Sequence, residues 1–269
     1  MENIWLIPLG LAIGALGTLI GAGGGFILVP ALLLLYPSYT AETVTSMSLA
    51  VVFFNALSGS VAYARMGRIE YRSGLIFSAA TIPGAILGAL TTAFIPRRLF
   101  DGIFGILLML LAVFLAVKPT VQTTPPCLPN HRKCTVIERD GTTHHFSYSQ
   151  KLGVSLSVGV GYVSSLLGIG GGIIHVPVLV RLLNFPVHIA TATSHFVLAN
   201  MALAGTITHI VTGSFREGVI RTLLLSGGVL LGAQAGARFS TRIHGDWIIR
   251  ALALALGLAG VRLMIAVLG

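Results

Sequence analysis

Two glycine runs in this sequence have the composition of an anion-binding site. Each run holds three consecutive glycines: Gly23, Gly24 and Gly25 in the first, and Gly170, Gly171 and Gly172 in the second. A helix that begins directly after such a run exposes unpaired backbone N–H groups and the positive end of its dipole. These groups bind anions without a formal charge. The structural alternative is close helix packing, which we expect of a second glycine set: Gly10, Gly14, Gly17, Gly21, Gly84, Gly88, Gly232 and Gly236.

Hydroxyl and imidazole groups follow both runs and add hydrogen-bonding groups to them. The candidates are Thr45, Ser46, Thr193, Ser194, His175 and His195. The two Thr-Ser pairs occupy equivalent positions after the two runs, and His175 lies one helical turn beyond Gly171. We expect these groups to surround one oxyanion together with the glycine N–H groups, with His195 as an asymmetric donor. The alternative is helix capping by the hydroxyls and packing of neutral imidazoles.

Acidic residues are missing from the interior of the apolar segments. All 8 Asp and Glu residues occur in polar links or near segment ends. A cation pathway or a carboxylate proton relay would place acidic groups inside the membrane, whereas an anion pathway would exclude them through like-charge repulsion. This distribution favours a small anion as the substrate.

The composition of the 269 residues is that of a membrane protein. Only 9% of them are charged and 55% are apolar, whereas roughly a quarter of an average soluble domain is charged. The 17 Lys and Arg residues occur mainly in short links, so the net charge of +9 indicates membrane topology rather than nucleic-acid binding. We expect a multi-pass integral protein of a bacterial inner (plasma) membrane, with the lipid bilayer as its surroundings.

The apolar segments form two homologous halves of four segments each. The stretch from Gly21 to Pro30 returns as the stretch from Gly168 to Pro177, and later motifs return at nearly the same offset. We therefore predict an all-α polytopic membrane protein. Its parts are a first transmembrane repeat at residues 1–118, a cytoplasmic loop at residues 119–150, and a second transmembrane repeat at residues 151–269.

The first segment of each half is too long for a simple crossing. The segment from Ile4 to Tyr36 would extend roughly 50 Å as one helix, against roughly 30 Å for the hydrocarbon core. The glycine runs near the middle predict broken or re-entrant helices. Three further crossings would then invert the second half relative to the first. Full crossing by the first segments is the alternative, since the distribution of Lys and Arg favours inversion only slightly.

The loop between the halves contains a hairpin signal. The stretch from Thr135 to Phe146 predicts two short strands around the turn at Asp140-Gly141. The loop also contains possible metal ligands, namely Cys127, His131, Cys134, His144 and His145. Their spacing is not that of a standard zinc site. We expect reduced thiols and solvated histidines in a cytoplasmic loop.

The duplicated motifs resemble those of the sulfite exporter TauE/SafE family of membrane permeases. The similarity includes both Gly-x-Gly-Gly-Gly-x-Ile-x-Val-Pro runs and the stretch from Pro186 to His195. It implies transport of sulfite, sulfonates or related small sulfur-containing anions, without a redox or metal cofactor. The first half departs from the second, with Leu28 and Met47 where the second half has its two histidines.

Three other functions are alternatives to a sulfur-oxyanion permease. The first is a transporter of another small anion, and the second is a membrane scaffold or sensor that uses the loop. The third is a membrane-embedded enzyme, but Ser194 and His195 would point about 100° apart on a helix and cannot act as a nucleophile and its base. We therefore expect a secondary transporter and not an enzyme.

Overall fold

The computed structural model describes residues 3–117, 131–215, 218–240 and 245–268. The helices of these residues are α1 (Leu6–Ile20), α2 (Gly25–Leu35), α3 (Ala41–Arg65), α4 (Tyr71–Thr92), α5 (Arg97–Val117), α6 (Gln150–Leu166), α7 (Gly172–Arg181), α8 (Val187–Val211), α9 (Val219–Ser240) and α10 (Gly245–Leu268). The strands β1 (His131–Ile137) and β2 (Thr143–Ser149) lie between α5 and α6. By length and composition, α3, α4, α8 and α9 can each span a membrane. The predicted helical membrane fold is therefore confirmed.

Both long segments are interrupted at their glycine runs. After α1, Gly21 takes the left-handed conformation, and its N–H donates to the carbonyl of Thr18. The N–H of Ala22 donates to the carbonyl of Gly17, which completes a helix ending that glycine favours. Gly21 therefore ends a helix, whereas the sequence analysis assigned it to helix packing. The segment between α6 and α7 breaks in the same way, with Gly168 at a φ of 68°.

Other glycines allow very close helix contacts, as predicted. A Cβ atom on Gly10 of α1 would stand 2.4 Å from the carbonyl oxygen of Leu225 in α9. In the second pair of helices, a Cβ atom on Gly84 of α4 would stand 2.3 Å from the carbonyl oxygen of Val158 in α6. Only glycine allows backbones to approach this closely. Glycine packing therefore joins α1 to α9 and α4 to α6, each pair taken from both halves.

Equivalent helices of the two halves lie against each other in opposite directions. The backbone of Gly205, late in α8, lies against Leu49 in the first part of α3. The backbone of Gly59, late in α3, lies against His195 in the first part of α8. The two helices therefore run antiparallel. The contacts between α5 and α10 show the same arrangement.

The predicted hairpin is present between the two halves. β1 and β2 pair antiparallel, with Cys134 opposite Phe146. One face of the hairpin packs on α4, α7 and α8, where it contacts a cluster that includes Phe77 and Phe185. Within the described residues, no group of three His, Cys, Asp or Glu side chains is placed to hold a metal ion. Cys127 lies outside the described residues.

Cys134 provides a test of hairpin docking. It is a free thiol on the buried face of the hairpin. Burial raises the pKa of this thiol most, and the carboxylate of Glu70 raises it further. Because the thiolate is the reactive form, we expect slow maleimide labelling of the folded protein at neutral pH and fast labelling in denaturant. Mass spectrometry of a Cys127→Ser variant measures both rates. Fast labelling of the folded protein would contradict the docked hairpin.

Candidate functional site

A small cavity lies at the amino end of α7, beside the second glycine run. Its lining includes the backbone of Gly170, Gly171 and Gly172 and the side chains of His175 and Ser194. The space open to the centre of a water molecule is about 10 Å³, which is enough for about one water. The cavity is therefore too small for a polyatomic anion in this conformation and must widen to admit one.

Backbone donors at the start of α7 have no acceptor within the described part of the chain. Gly171 is the N-cap residue, with a φ of 82°, and its carbonyl accepts from the N–H groups of Ile174 and His175. The N–H groups of Gly171, Gly172 and Ile173 donate to no described carbonyl. Buried backbone donors are rarely left unpaired. Together with the helix dipole, they form a cradle for negative charge.

Two serine hydroxyls add side-chain donors to this cradle. Ser194 and Ser164 are both wholly buried, and neither Oγ atom has a hydrogen-bond partner in the described residues. Ser194 lines the cavity, and the Ser164 Oγ lies 3.2 Å from where a Cβ atom on Gly171 would stand. Because buried hydroxyls are normally hydrogen-bonded, this pair points to a polar ligand or a water at the cradle.

His175 forms part of the cavity wall, one turn into α7. Its Nε2 lies 3.5 Å from the Oγ of Ser157, and its Nδ1 has no partner in the described residues. Its ring stands edge-on to Phe77, with centroids 5.8 Å apart. The imidazole is buried, so it presents either a donor or an acceptor to the cavity according to its tautomer.

Three of the predicted hydroxyl donors lie outside this cavity. The Oγ1 of Thr193 accepts from the backbone N–H of Glu70 at 3.1 Å. The hydroxyl of Ser46 donates to the backbone carbonyl of Thr43 at 2.8 Å. Thr45 lies against Gly168, and its Oγ1 is buried without a partner in the described residues. Ser46 thus makes a local backbone bond of the kind given above as the alternative, whereas the Thr193 bond joins α8 to the chain just before α4.

His195 faces the first glycine run, although its neighbour Ser194 faces the second. Its Nε2 lies 3.3 Å from the Oγ1 of Thr18, whose hydroxyl donates to the Oδ1 of Asn55 at 2.9 Å. The Nδ2 of Asn55 has no partner in the described residues and lies 3.5 Å from where a Cβ atom on Gly24 would stand. The amide is therefore oriented with its N–H donors towards the first run.

The polar groups thus form two clusters, one at each glycine run. The first-run cluster consists of the N–H groups of residues 24–26 with the side chains of Thr18, Asn55 and His195. The second-run cluster consists of the N–H groups of residues 171–173 with the side chains of Ser164, His175 and Ser194. The sequence analysis missed Thr18 and Ser164. Thr18 lies five residues before Gly23 and Ser164 lies six residues before Gly170, so an alignment of the two halves would pair Thr18 with Ser165 and would not have identified Ser164.

The two runs meet at the contact between the halves. A Cβ atom on Gly25 would stand 2.6 Å from the carbonyl oxygen of Ile169, and one on Gly172 would stand 2.4 Å from that of Gly21. Each run therefore begins its half-helix against the helix break of the other half. The two clusters are consequently neighbours on opposite sides of one backbone contact.

Comparisons with known proteins agree on one class of protein. The family model described as "Sulfite exporter TauE/SafE" matches residues 6–263. The "Probable membrane transporter protein YunE" of Bacillus subtilis is 30% identical over 272 residues, which cover 98% of both chains. YdhB of the same organism, also described as a probable membrane transporter protein, is 28% identical, with 91% of this chain and 93% of YdhB covered. A probable membrane transporter protein of Methanocaldococcus jannaschii is 24% identical, with 98% and 97% covered. No solved structure matches this chain significantly.

Proposed function

Because this chain belongs to the sulfite exporter TauE/SafE family and is an integral membrane transporter rather than an enzyme, we propose that it carries a small sulfur-containing oxyanion such as sulfite or an organosulfonate. The observation that carries this proposal is the second-run cluster. Its N–H groups and its two serine hydroxyls are donors without described acceptors, and none of the described residues that line the cavity carries a carboxylate. Such a site favours anions over cations.

The neutrality of the site suits turnover as well as selectivity. A buried Lys or Arg would add the attraction of a full opposite charge to its hydrogen bonds with an oxyanion. Distributed neutral donors hold the ion more weakly and allow its release. An inside-negative potential drives an anion outwards with about 2.3 kcal/mol per charge per 100 mV, so export requires no coupling ion. A small anion without sulfur is the second candidate, since the donors recognise charge rather than the central atom.

The repeats supply a route for alternating access in this proposal. Residues 1–118 and 151–269 form two inverted repeats, and residues 119–150 form a loop on the cytoplasmic side. The antiparallel contact of α3 with α8 supports the inversion, as does the reciprocal contact of the two glycine runs. Under this symmetry the N–H groups of residues 24–26 are the counterparts of those of residues 171–173, whereas the side chains of the two clusters are not equivalent. The anion then passes between the two runs as the halves move.

Ser194→Ala tests the site directly. Loss of a hydrogen bond to a charged ligand costs about 1.5–3 kcal/mol, so the affinity for the preferred anion should fall roughly tenfold to a hundredfold. Uptake of labelled sulfite into proteoliposomes measures this, with sulfate, thiosulfate, taurine and sulfoacetate as competitors. Thr206→Ala is the matched control on the same helix, because the Thr206 hydroxyl already donates to the carbonyl of Ala202 at 2.7 Å. Parent-like transport by Ser194→Ala would place the anion elsewhere.

Asn55→Asp tests the first-run cluster. The change replaces the unpartnered N–H donors with a carboxylate of nearly the same shape, which repels an anion. We expect transport to fall by about tenfold or more. Asn200→Asp on α8 is the control, because that amide donates to Ser78 and to the carbonyl of Phe196, away from both clusters. Equal transport by the two variants would remove the first-run cluster from the pathway.

A further inference from the structure

An aromatic column links the cavity to the hairpin. His175 lines the cavity, and its ring meets Phe77 of α4 edge-on. Phe77 meets Tyr148 of β2 with ring centroids 5.8 Å apart, and Tyr148 packs on Phe185 at 5.1 Å. Phe77 and Tyr148 are wholly buried. These two rings therefore lie between the His175 wall of the cavity and the hairpin.

The far end of the hairpin is attached through polar contacts. The carboxylate of Glu138 pairs with the guanidinium of Arg68 at 2.5 Å and with the imidazole of His144 at 2.8 Å. The N–H of Arg139 donates to the carbonyl of Met66 at 2.9 Å. Because desolvation offsets much of the attraction in a buried ion pair, this end contributes little net stability to the closed state. It can therefore separate at a modest cost.

The near end of the hairpin continues directly into the helix α6. β2 ends at Ser149 and α6 begins at Gln150. The hairpin therefore has the construction of a flap. It has a hinge at its junction with α6, an apolar underside formed by residues such as Phe146 and Tyr148, and a polar contact at its turn.

We propose that this hairpin is a gate of the transport pathway, with Tyr148 against Phe77 as the closing contact and the Glu138–Arg68 pair as the latch. The gate extends the proposed function, because it assigns a transport role to residues outside both clusters. The gate rests on the proposed function for the pathway through the second-run cavity and for the identity of the anion. The access of small molecules to the cavity can be measured without knowing the substrate.

Locking the latch end with a disulfide tests the gate. Met66→Cys with Arg139→Cys places two thiols where the backbones are hydrogen-bonded, in a chain whose native cysteines are replaced. Oxidation should reduce sulfite flux in proteoliposomes by about tenfold or more, as expected when a required opening is blocked, and reduction should restore it. The control is Thr135→Cys with His145→Cys, because these cross-strand partners would tie the hairpin only to itself.

A second measurement separates the gate from the substrate assignment. Val160 lines the cavity, and maleimide labelling of a Val160→Cys variant in detergent should slow by a similar factor when the latch end is locked. If locking slows labelling while no variant moves sulfite, the gate is supported and the assigned substrate is wrong. If the locked protein moves sulfite and is labelled at the unlocked rates, the hairpin is a static cover and the gate is refuted.

Discussion

Gly172→Ala is expected to lower the free energy of unfolding by about 3 kcal/mol, at the upper end of the usual cost of overpacking. The added Cβ atom would stand 2.4 Å from the carbonyl oxygen of Gly21 and 2.8 Å from the Cα of Ala22. Both atoms belong to the backbone of the other half, so no side-chain rotation relieves the clash. Thermal unfolding of the purified protein in detergent measures the loss.

Two glycines inside other helices of the bundle serve as controls for this prediction. A Cβ atom on Gly159 of α6 or Gly227 of α9 would have no described atom within 4 Å. Because alanine favours a helix interior over glycine by about 1 kcal/mol, their alanine variants should be as stable as the parent or more stable. If Gly172→Ala unfolds at the parent temperature, the two runs are not in contact in the folded protein.

The contact between Gly172 and the carbonyl of Gly21 should also matter for transport. Gly21 and Gly168 permit the backbone turns that end α1 and α6, and Gly25 and Gly172 let the two helix breaks touch. A larger residue would separate the breaks and move the unpaired N–H groups. We therefore expect Gly172→Ala to impair transport in any molecules that remain folded, in addition to lowering stability.

The elements of the fold were predictable because their signals are local. Hydropathy over a membrane-length window located the segments, and the turn at Asp140-Gly141 indicated the hairpin. The duplicated glycine runs gave the helix breaks, because glycine is both a poor helix former and free to adopt a positive φ. In each case the physical cause lies within a few residues of its effect.

The arrangement of the site was less predictable because it depends on which helix faces meet. Ser194 and His195 are neighbours in sequence and were assigned to one anion, yet they point about 100° apart on α8 and therefore contact different clusters. Thr18 joins His195 to Asn55 across separations that no local pattern reveals. Tertiary contacts of this kind require the packing of all three helices to be known.

Arg68 is another residue whose contacts depend on tertiary packing. Its replacement is the second change for which we predict a large loss of stability. The sequence analysis treats its charge as a topology signal, whereas the structure buries it against Glu138, with only 9% and 6% of the two side chains exposed. Arg68→Met leaves the Glu138 carboxylate with His144 alone. Because an uncompensated buried charge costs about 3–5 kcal/mol, we expect a loss of that size, measured by thermal unfolding and by faster maleimide labelling of Cys134.

The double variant Arg68→Met with Glu138→Leu tests why Arg68→Met is less stable. The cause is either the lost attraction between the two side chains or the unpaired carboxylate of Glu138. Replacing both partners of a buried pair by apolar residues is often neutral or stabilising, so the double variant should recover most of the stability lost by Arg68→Met. It should also restore slow labelling of Cys134, because an apolar turn can still dock on the loop between α3 and α4. If the double variant is as unstable as Arg68→Met, the guanidinium acts through other contacts, of which the bond to the Ser240 hydroxyl at 3.5 Å is the first to examine.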